Sequence, residues 1–139
     1  MAGVKRFELI EHTADTGLVA YGENLPEAFG NAAYGLFSII ADLRRVKQAE
    51  SRQFEIEERG PEDLLFEWLN QLVYLFDVEG MLMKKCQVLS LTDRSLKAVC
   101  YGEKYDPSRH RLKLAVKSAT YHMLEVDKQK NLVRVIFDV

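Results

Sequence analysis

Apolar residues recur along the chain with two periods, and the change between them outlines the fold. Phe7 and Leu9, then Leu18 and Ala20, alternate with other residues and predict two short strands. Between them, Glu11-His12-Thr13-Ala14-Asp15-Thr16-Gly17 is polar and ends in glycine, which reads as a loop. Apolar positions then fall at Ala28, Phe29, Ala32, Ala33, Leu36, Phe37 and Ile40, the spacing of a helix. Asn24 suits its N-cap, Pro26 its first turn, and Glu27 can reach back toward the free amides. Gly30 and Gly35 each cost about 1 kcal/mol relative to Ala in a helix, which predicts compensating close packing there.

Residues 53–57 alternate as a strand with one wet face. Gly60-Pro61-Glu62-Asp63 opens a second helix, with proline in the first turn and acids at the positive end of the dipole. Its apolar side is wide, from Leu64 through Trp68 to Phe76, which predicts that it is the more buried helix. After Gly80 the period drops to two. Residues 81–91, 96–105, 113–126 and 132–139 predict four strands, the last two intervening loops carrying turn residues. The expectation is a single α+β domain over residues 1–139, with two helices packed on one face of a mostly antiparallel sheet.

Length and composition support that class. The 139 residues are 47% hydrophobic and 29% charged, enough for a core without metal or disulfide staples. The net charge of −2 argues against a protein whose main task is gripping phosphate backbones, but leaves room for a local basic patch. No apolar run approaches the roughly 20 residues of a membrane helix, and the first residues lack a secretory pattern, so a cytoplasmic location without membrane contact is expected. Cys86 and Cys100 form no CxxC pair and read as buried reduced thiols.

Candidate chemistry gathers at the two ends. The N-terminal loop offers Glu11, His12 and Asp15; the last strand ends in Asp138 and the carboxylate of Val139. If the first and last strands are neighbours, these acids converge. Two carboxylates about 4 Å apart repel by about 4 kcal/mol at an effective dielectric near 20, so such a cluster needs a proton, solvent or a cation. Its hard oxygens favour Mg²⁺, Ca²⁺ or Mn²⁺ over zinc. Spacing alone favours the plainer reading, with Asp15 capping a turn and Asp138 lying in water. His12, His110 and His122 are too scattered to be a ligand set, and His12 reads as a loop-orienting residue. His110 lies in the basic run 109–113, either a solvated hairpin tip or a small cationic surface for a nucleotide, RNA or acidic partner. Lys117 is expected to point outward; an inward Lys117 would require a carboxylate such as Glu103. Gly102 suggests a β-bulge. No GxSxG, Walker A or GxGxxG motif is present.

The ordered set of His12-Thr13-Ala14-Asp15-Thr16-Gly17, Ala20-Tyr21-Gly22 and Glu27-Ala28-Phe29 with Ala32-Ala33 resembles the opening of the archease family. Leu64-Leu65, Trp68-Leu69-Asn70 and Tyr74 are similar to that family's second helix. Gly102-Glu103, His110, Val116-Lys117, Thr120-Tyr121 and the closing Asp138-Val139 continue the likeness over nearly the whole chain. The resemblance implies an α+β fold related to the strand–helix–strand (SHS2-like) module. It also implies an accessory protein, not a free-standing enzyme. Its partner would be the tRNA-splicing RNA ligase that joins 3′-phosphate to 5′-hydroxyl ends. The accessory role is to promote guanylylation of the ligase's active-site histidine, and so multiple turnover, with GTP and RNA engaged indirectly. A divalent metal ion, calcium by resemblance and magnesium or manganese by the same donors, would be held by Asp15, Asp138 and Val139, with His12, Glu103 and Lys117 in support. Ala115 and Ser118 depart from the family's usual Glu and Ala around the Val-Lys pair. A metal-dependent phosphoester hydrolase and a small-ligand-binding module are the alternative functions, and residues 105–113 are the expected ligase-facing surface.

Overall fold

The computed structural model describes residues 5–11 (Glu11 by its backbone) and 15–139. Strands β1 (Phe7–Glu11) and β2 (Thr16–Tyr21) form an antiparallel pair. Helix α1 (Leu25–Ile40) starts where the sequence predicts it: the Asn24 side chain accepts from the Glu27 amide at 2.9 Å, and Glu27 accepts from the Glu23 amide. β3 (Ala41–Asp42), a 3-10 turn (Leu43–Arg45) and β4 (Glu50–Glu57) lead into helix α2 (Pro61–Glu79), which ends on Gly80 in the left-handed region, φ 70°. Then come β5 (Met81–Leu91), β6 (Ser95–Lys104), β7 (Arg111–Leu112), β8 (Ser118–Ala119), β9 (Glu125–Asp127) and β10 (Leu132–Asp138).

The strands form two main antiparallel sheets rather than one. The first has the order β1-β2-β10-β8, with β9 also on β10; the second is β4-β6-β5; β3 and β7 make a short separate pair. The final strand therefore lies between β2 and β8, which joins the two ends of the chain in one sheet.

Helix α1 packs against β2 and β10 of the first sheet and β5 of the second. Its glycines explain how. A Cβ on Gly30 would stand 2.9 Å from the Cys86 carbonyl oxygen of β5, and one on Gly35 would stand 2.8 Å from the Leu18 side chain of β2. Each glycine admits a neighbour from a different sheet, the close packing that offsets its helix penalty. As a result α1, not α2, is the more buried helix, with Ala28, Phe29, Ala32, Ala33, Leu36 and Phe37 fully buried. The width of an apolar stripe does not reveal how many layers a helix touches, so the expectation for α2 was misplaced. Helix α2 still seals the core: Trp68 is fully buried, stands edge-on to Phe54 and donates its indole N–H to the Phe29 carbonyl of α1 at 3.0 Å.

Two further expectations are corrected. Cys86 and Cys100 face each other across β5 and β6, with Cα atoms 4.1 Å apart, and are joined as a disulfide; they are not reduced thiols. A hairpin turning at residues 92–95 carries them to opposing positions despite 14 residues of separation. Residues 113–126 form no long strand. They hold only β8 and the start of β9, joined by a turn in which Met123 has φ 55°. The expected bulge falls on β5, where the register shifts between Met83 and Lys85 opposite Gly102.

Candidate functional site

The register of β2 against β10 fixes the geometry at the chain ends. Phe137 faces Thr16 and Ile136 faces Gly17. Continued one residue, the same register sets Asp138 across from Asp15. Side chains alternate along a strand and directly opposed residues share a face. Leu18, Val135 and Phe137 are fully buried toward α1, so Asp15 and Asp138 belong to the other, outer face. Ser118 is paired with Asp138 from β8 and joins the same row. Asp138 and Ser118 thus carry oxygen donors on adjoining strand ends, and Asp15 precedes the first residue of β2.

The surrounding chain holds that edge in place. Lys117 donates its amide to the Asp138 carbonyl at 2.8 Å, and Thr120 donates both its amide (3.0 Å) and its hydroxyl (2.8 Å) to the Ile136 carbonyl. Ala119 donates its amide to the Asn70 side chain of α2 at 2.7 Å. Two residues on, the Tyr121 hydroxyl donates to Asp63 at 2.7 Å and its ring stacks on Phe66, centroids 4.0 Å apart. The bond to Asp63, with burial and neighbouring carboxylates, pushes the Tyr121 phenol up to about 12. Sequence reasoning missed the work of Asn70 and Asp63. Their signal was two polar residues seven apart, two turns along one face of α2.

Asp138, Val139 and Lys117 are exposed and Asp15 is half-buried. Hard oxygen donors of this kind suit Ca²⁺, Mg²⁺ or Mn²⁺. Among the described residues no three His, Cys, Asp or Glu side chains converge, so the two aspartates need main-chain oxygens, hydroxyls or water to complete a coordination shell. His12 lies outside the described residues.

Glu103 belongs to a different place. It is buried and does not meet Lys117. Arg109 grips both its carboxylate oxygens, at 2.7 and 3.0 Å; the Lys47 amide donates to Oε2 at 2.8 Å, and His110 Nε2 lies 2.9 Å from the same atom. The Asp106 amide donates to His110 Nδ1, so Nδ1 is unprotonated and Nε2 carries the hydrogen given to Glu103. His110 is therefore a buried structural residue, not part of a solvated hairpin tip. The Arg109 guanidinium, aided by Lys47 and His110 and opposed by burial, holds the Glu103 carboxyl down at about 2. This network ties residues 103–110 to the segment after the 3-10 turn.

The chain matches the model of the Archease protein family (MTH1598/TM1083) over residues 7–139. It belongs to the archease family. Among archease relatives, the protein archease of Sulfurisphaera tokodaii is 37% identical over 98% of this chain and 99% of its own length. That of Pyrococcus abyssi is 40% identical over 90% of both. The solution structure of Methanobacterium thermoautotrophicum protein 1598 superposes with a TM-score of 0.78 at 31% identity, covering 98% of this chain and 100% of that one. An archease from Thermotoga maritima, described as a possible chaperone, shares the fold with a TM-score of 0.59 at 18% identity over 94% of each chain. These archease structures agree with the α+β fold. Among the described residues no helix is long and apolar enough to cross a membrane.

Proposed function

We propose that this archease-family chain is an accessory protein that activates a tRNA-splicing RNA ligase joining 3′-phosphate to 5′-hydroxyl ends. It promotes guanylylation of the ligase's active-site histidine from GTP and thereby repeated turnover. The observation that supports this reading is the β2–β10 pairing, in which Thr16 stands opposite Phe137, each of them adjoining one of the two aspartates. Asp15 and Asp138 would hold a divalent ion through their carboxylates, and Val139 through a main-chain or terminal oxygen. When bound, that ion supplies concentrated positive charge for phosphate oxygens. The protein's own part is mechanical and electrostatic. The Asn70, Lys117 and Thr120 bonds keep the end of β10 from fraying, so the carboxylates project from a fixed edge into the partner. The exposed Lys117 ammonium adds a positive charge beside them.

The test is ligase turnover with GTP and divalent metal, the accessory protein being added at substoichiometric levels. Asp15→Ala and Asp138→Ala should leave folding intact by circular dichroism and abolish multiple turnover. Undiminished turnover with well-folded variants would reject the reading. Calorimetric titration with Ca²⁺, Mg²⁺ and Mn²⁺ identifies the ion.

A further inference from the structure

The net charge of −2 conceals a strongly basic face. Three depressions, of about 880, 630 and 570 Å³, run beside α1, the 3-10 turn and the start of β5. Lys84 lines all three; Tyr34 lines the first two and Arg44 the last two, so they form one continuous trough. One wall is a single face of α1, from Gly30 and Asn31 through Tyr34 and Ser38 to the adjoining Ala41.

Beside Arg6 and the ion-paired Lys5, Arg44 and Arg109, the trough is lined by Arg45, Lys47, Lys84, Lys85, Arg111 and Lys113, six cations brought from three separate chain segments. Among the described residues none of the six has a carboxylate within ion-pair distance. The acids in the neighbourhood are already engaged or off to one side. Asp42 is clasped by Arg44, Glu103 by Arg109, and Glu23 and Glu27 stand at the far end, by the start of α1. Unpaired like charges repel one another, so their concentration here costs stability and is relieved by an anion.

We propose that this trough binds the phosphate backbone of a nucleic acid. An acidic protein surface is the competing occupant, and the composition decides against it. Protein interfaces are depleted in Lys and built around exposed aromatic or aliphatic anchors. The trough is rich in Lys, its aliphatic residues Leu43 and Val46 are buried, and its half-buried Tyr34 ring is already covered by the Arg6 guanidinium. Nucleic-acid interfaces have the polar and positive character seen here. The proposal is independent of ligase activation and of any metal at Asp15 and Asp138.

The experiment is fluorescence anisotropy of the full chain with a labelled unstructured RNA, the same sequence as DNA, and polyglutamate as competitor. Six phosphate contacts to a single strand give a slope of log affinity against log salt of about −4. Lys84→Glu with Lys85→Glu, and separately Arg45→Glu, should weaken binding by about tenfold or more and flatten the slope by about 0.7 per lost contact. Arg94→Glu, in the distant β5–β6 turn, changes net charge equally to one of these and should leave binding within about twofold. RNA alone binding, or RNA and DNA binding alike, each supports the trough as a phosphate site. No binding at low salt, equal loss with Arg94→Glu, or full displacement by polyglutamate at matched charge would overturn it.

Discussion

Replacing Glu103 with Gln removes one charge from a buried network and nothing from its volume. The carboxylate accepts from four donors, three of them at Oε2. A carboxamide has one oxygen. Placed at Oε2 it keeps the Lys47, His110 and one Arg109 bond, but it turns an NH₂ toward the other Arg109 nitrogen. Removing one partner of a buried pair costs about 3–5 kcal/mol when the survivor is fully buried. The Arg109 side chain is 30% exposed and already reaches Asp106, so it can recover part of that loss. A cost of about 2–3 kcal/mol follows. The acid–base argument gives a similar size. The carboxyl is held at about 2 against an ordinary 4.5, worth about 3 kcal/mol. Because the folded value is depressed, this stabilisation is present above 4.5 and is lost as pH falls through about 2. Urea unfolding followed by circular dichroism should therefore show a lower midpoint for Glu103→Gln at neutral pH with an unchanged slope. The gap between wild type and variant should close as pH falls toward 2. A gap under about 0.5 kcal/mol at neutral pH, or one that does not change with pH, would refute the reasoning.

The remaining expectations follow from single contacts. Gly102→Ala drives a Cβ onto the Leu82 carbonyl oxygen at the bulge, and a loss of about 2–4 kcal/mol should appear in the same urea assay. Asn70→Ala leaves the Ala119 amide without its acceptor; hydrogen exchange at Lys117 and Ala119 should accelerate, with stability down by about 1–3 kcal/mol. Tyr121 should titrate near 12 by ultraviolet absorbance, and Asp63→Asn should return it toward the ordinary 10. Its raised value means the Asp63 bond contributes up to pH about 10 and is lost as pH rises through about 12.

Local rules carried the helices and the long hairpin. Asn24, Pro26, Pro61 and Gly80 mark helix ends by backbone chemistry that acts within a few residues, and the structure follows them. The split into two sheets was not legible, because it depends on α1 being thin enough at Gly30 and Gly35 to take a neighbour on each side. Periodicity also misjudged residues 113–126. Their alternation is genuine, yet the backbone there bonds to α1, α2 and β10 one residue at a time, through Lys113, Ala119 and Thr120. The convergence of Asp15 with Asp138 depends on the first and last strands being neighbours; β10 instead pairs with the second strand, with Phe137 opposite Thr16, the residue after Asp15. Lys117 is exposed, as expected, and Glu103, which only an inward Lys117 would have needed, has another partner. Arg109, six residues away, lies across a turn that puts it closer than Lys117 can come.

The two surfaces singled out above are connected by a short piece of chain, and this limits how they can work together. Lys113, at one end of the basic trough, is tied to the end of α1 by its amide bond to Ile40. Lys117, four residues later, is tied to Asp138. Four extended residues span at most about 14 Å. Both anchors are backbone hydrogen bonds to regular elements, so the separation cannot grow without breaking one of them. A phosphate chain lying in the trough with one end at Lys113 would therefore end no more than about 14 Å, backbone to backbone, from Lys117. If the two surfaces serve one reaction, inserting residues between Ala115 and Val116 should uncouple them, leaving RNA binding and metal binding intact while ligase activation falls. Activation unaffected by such an insertion would show that trough and edge act separately.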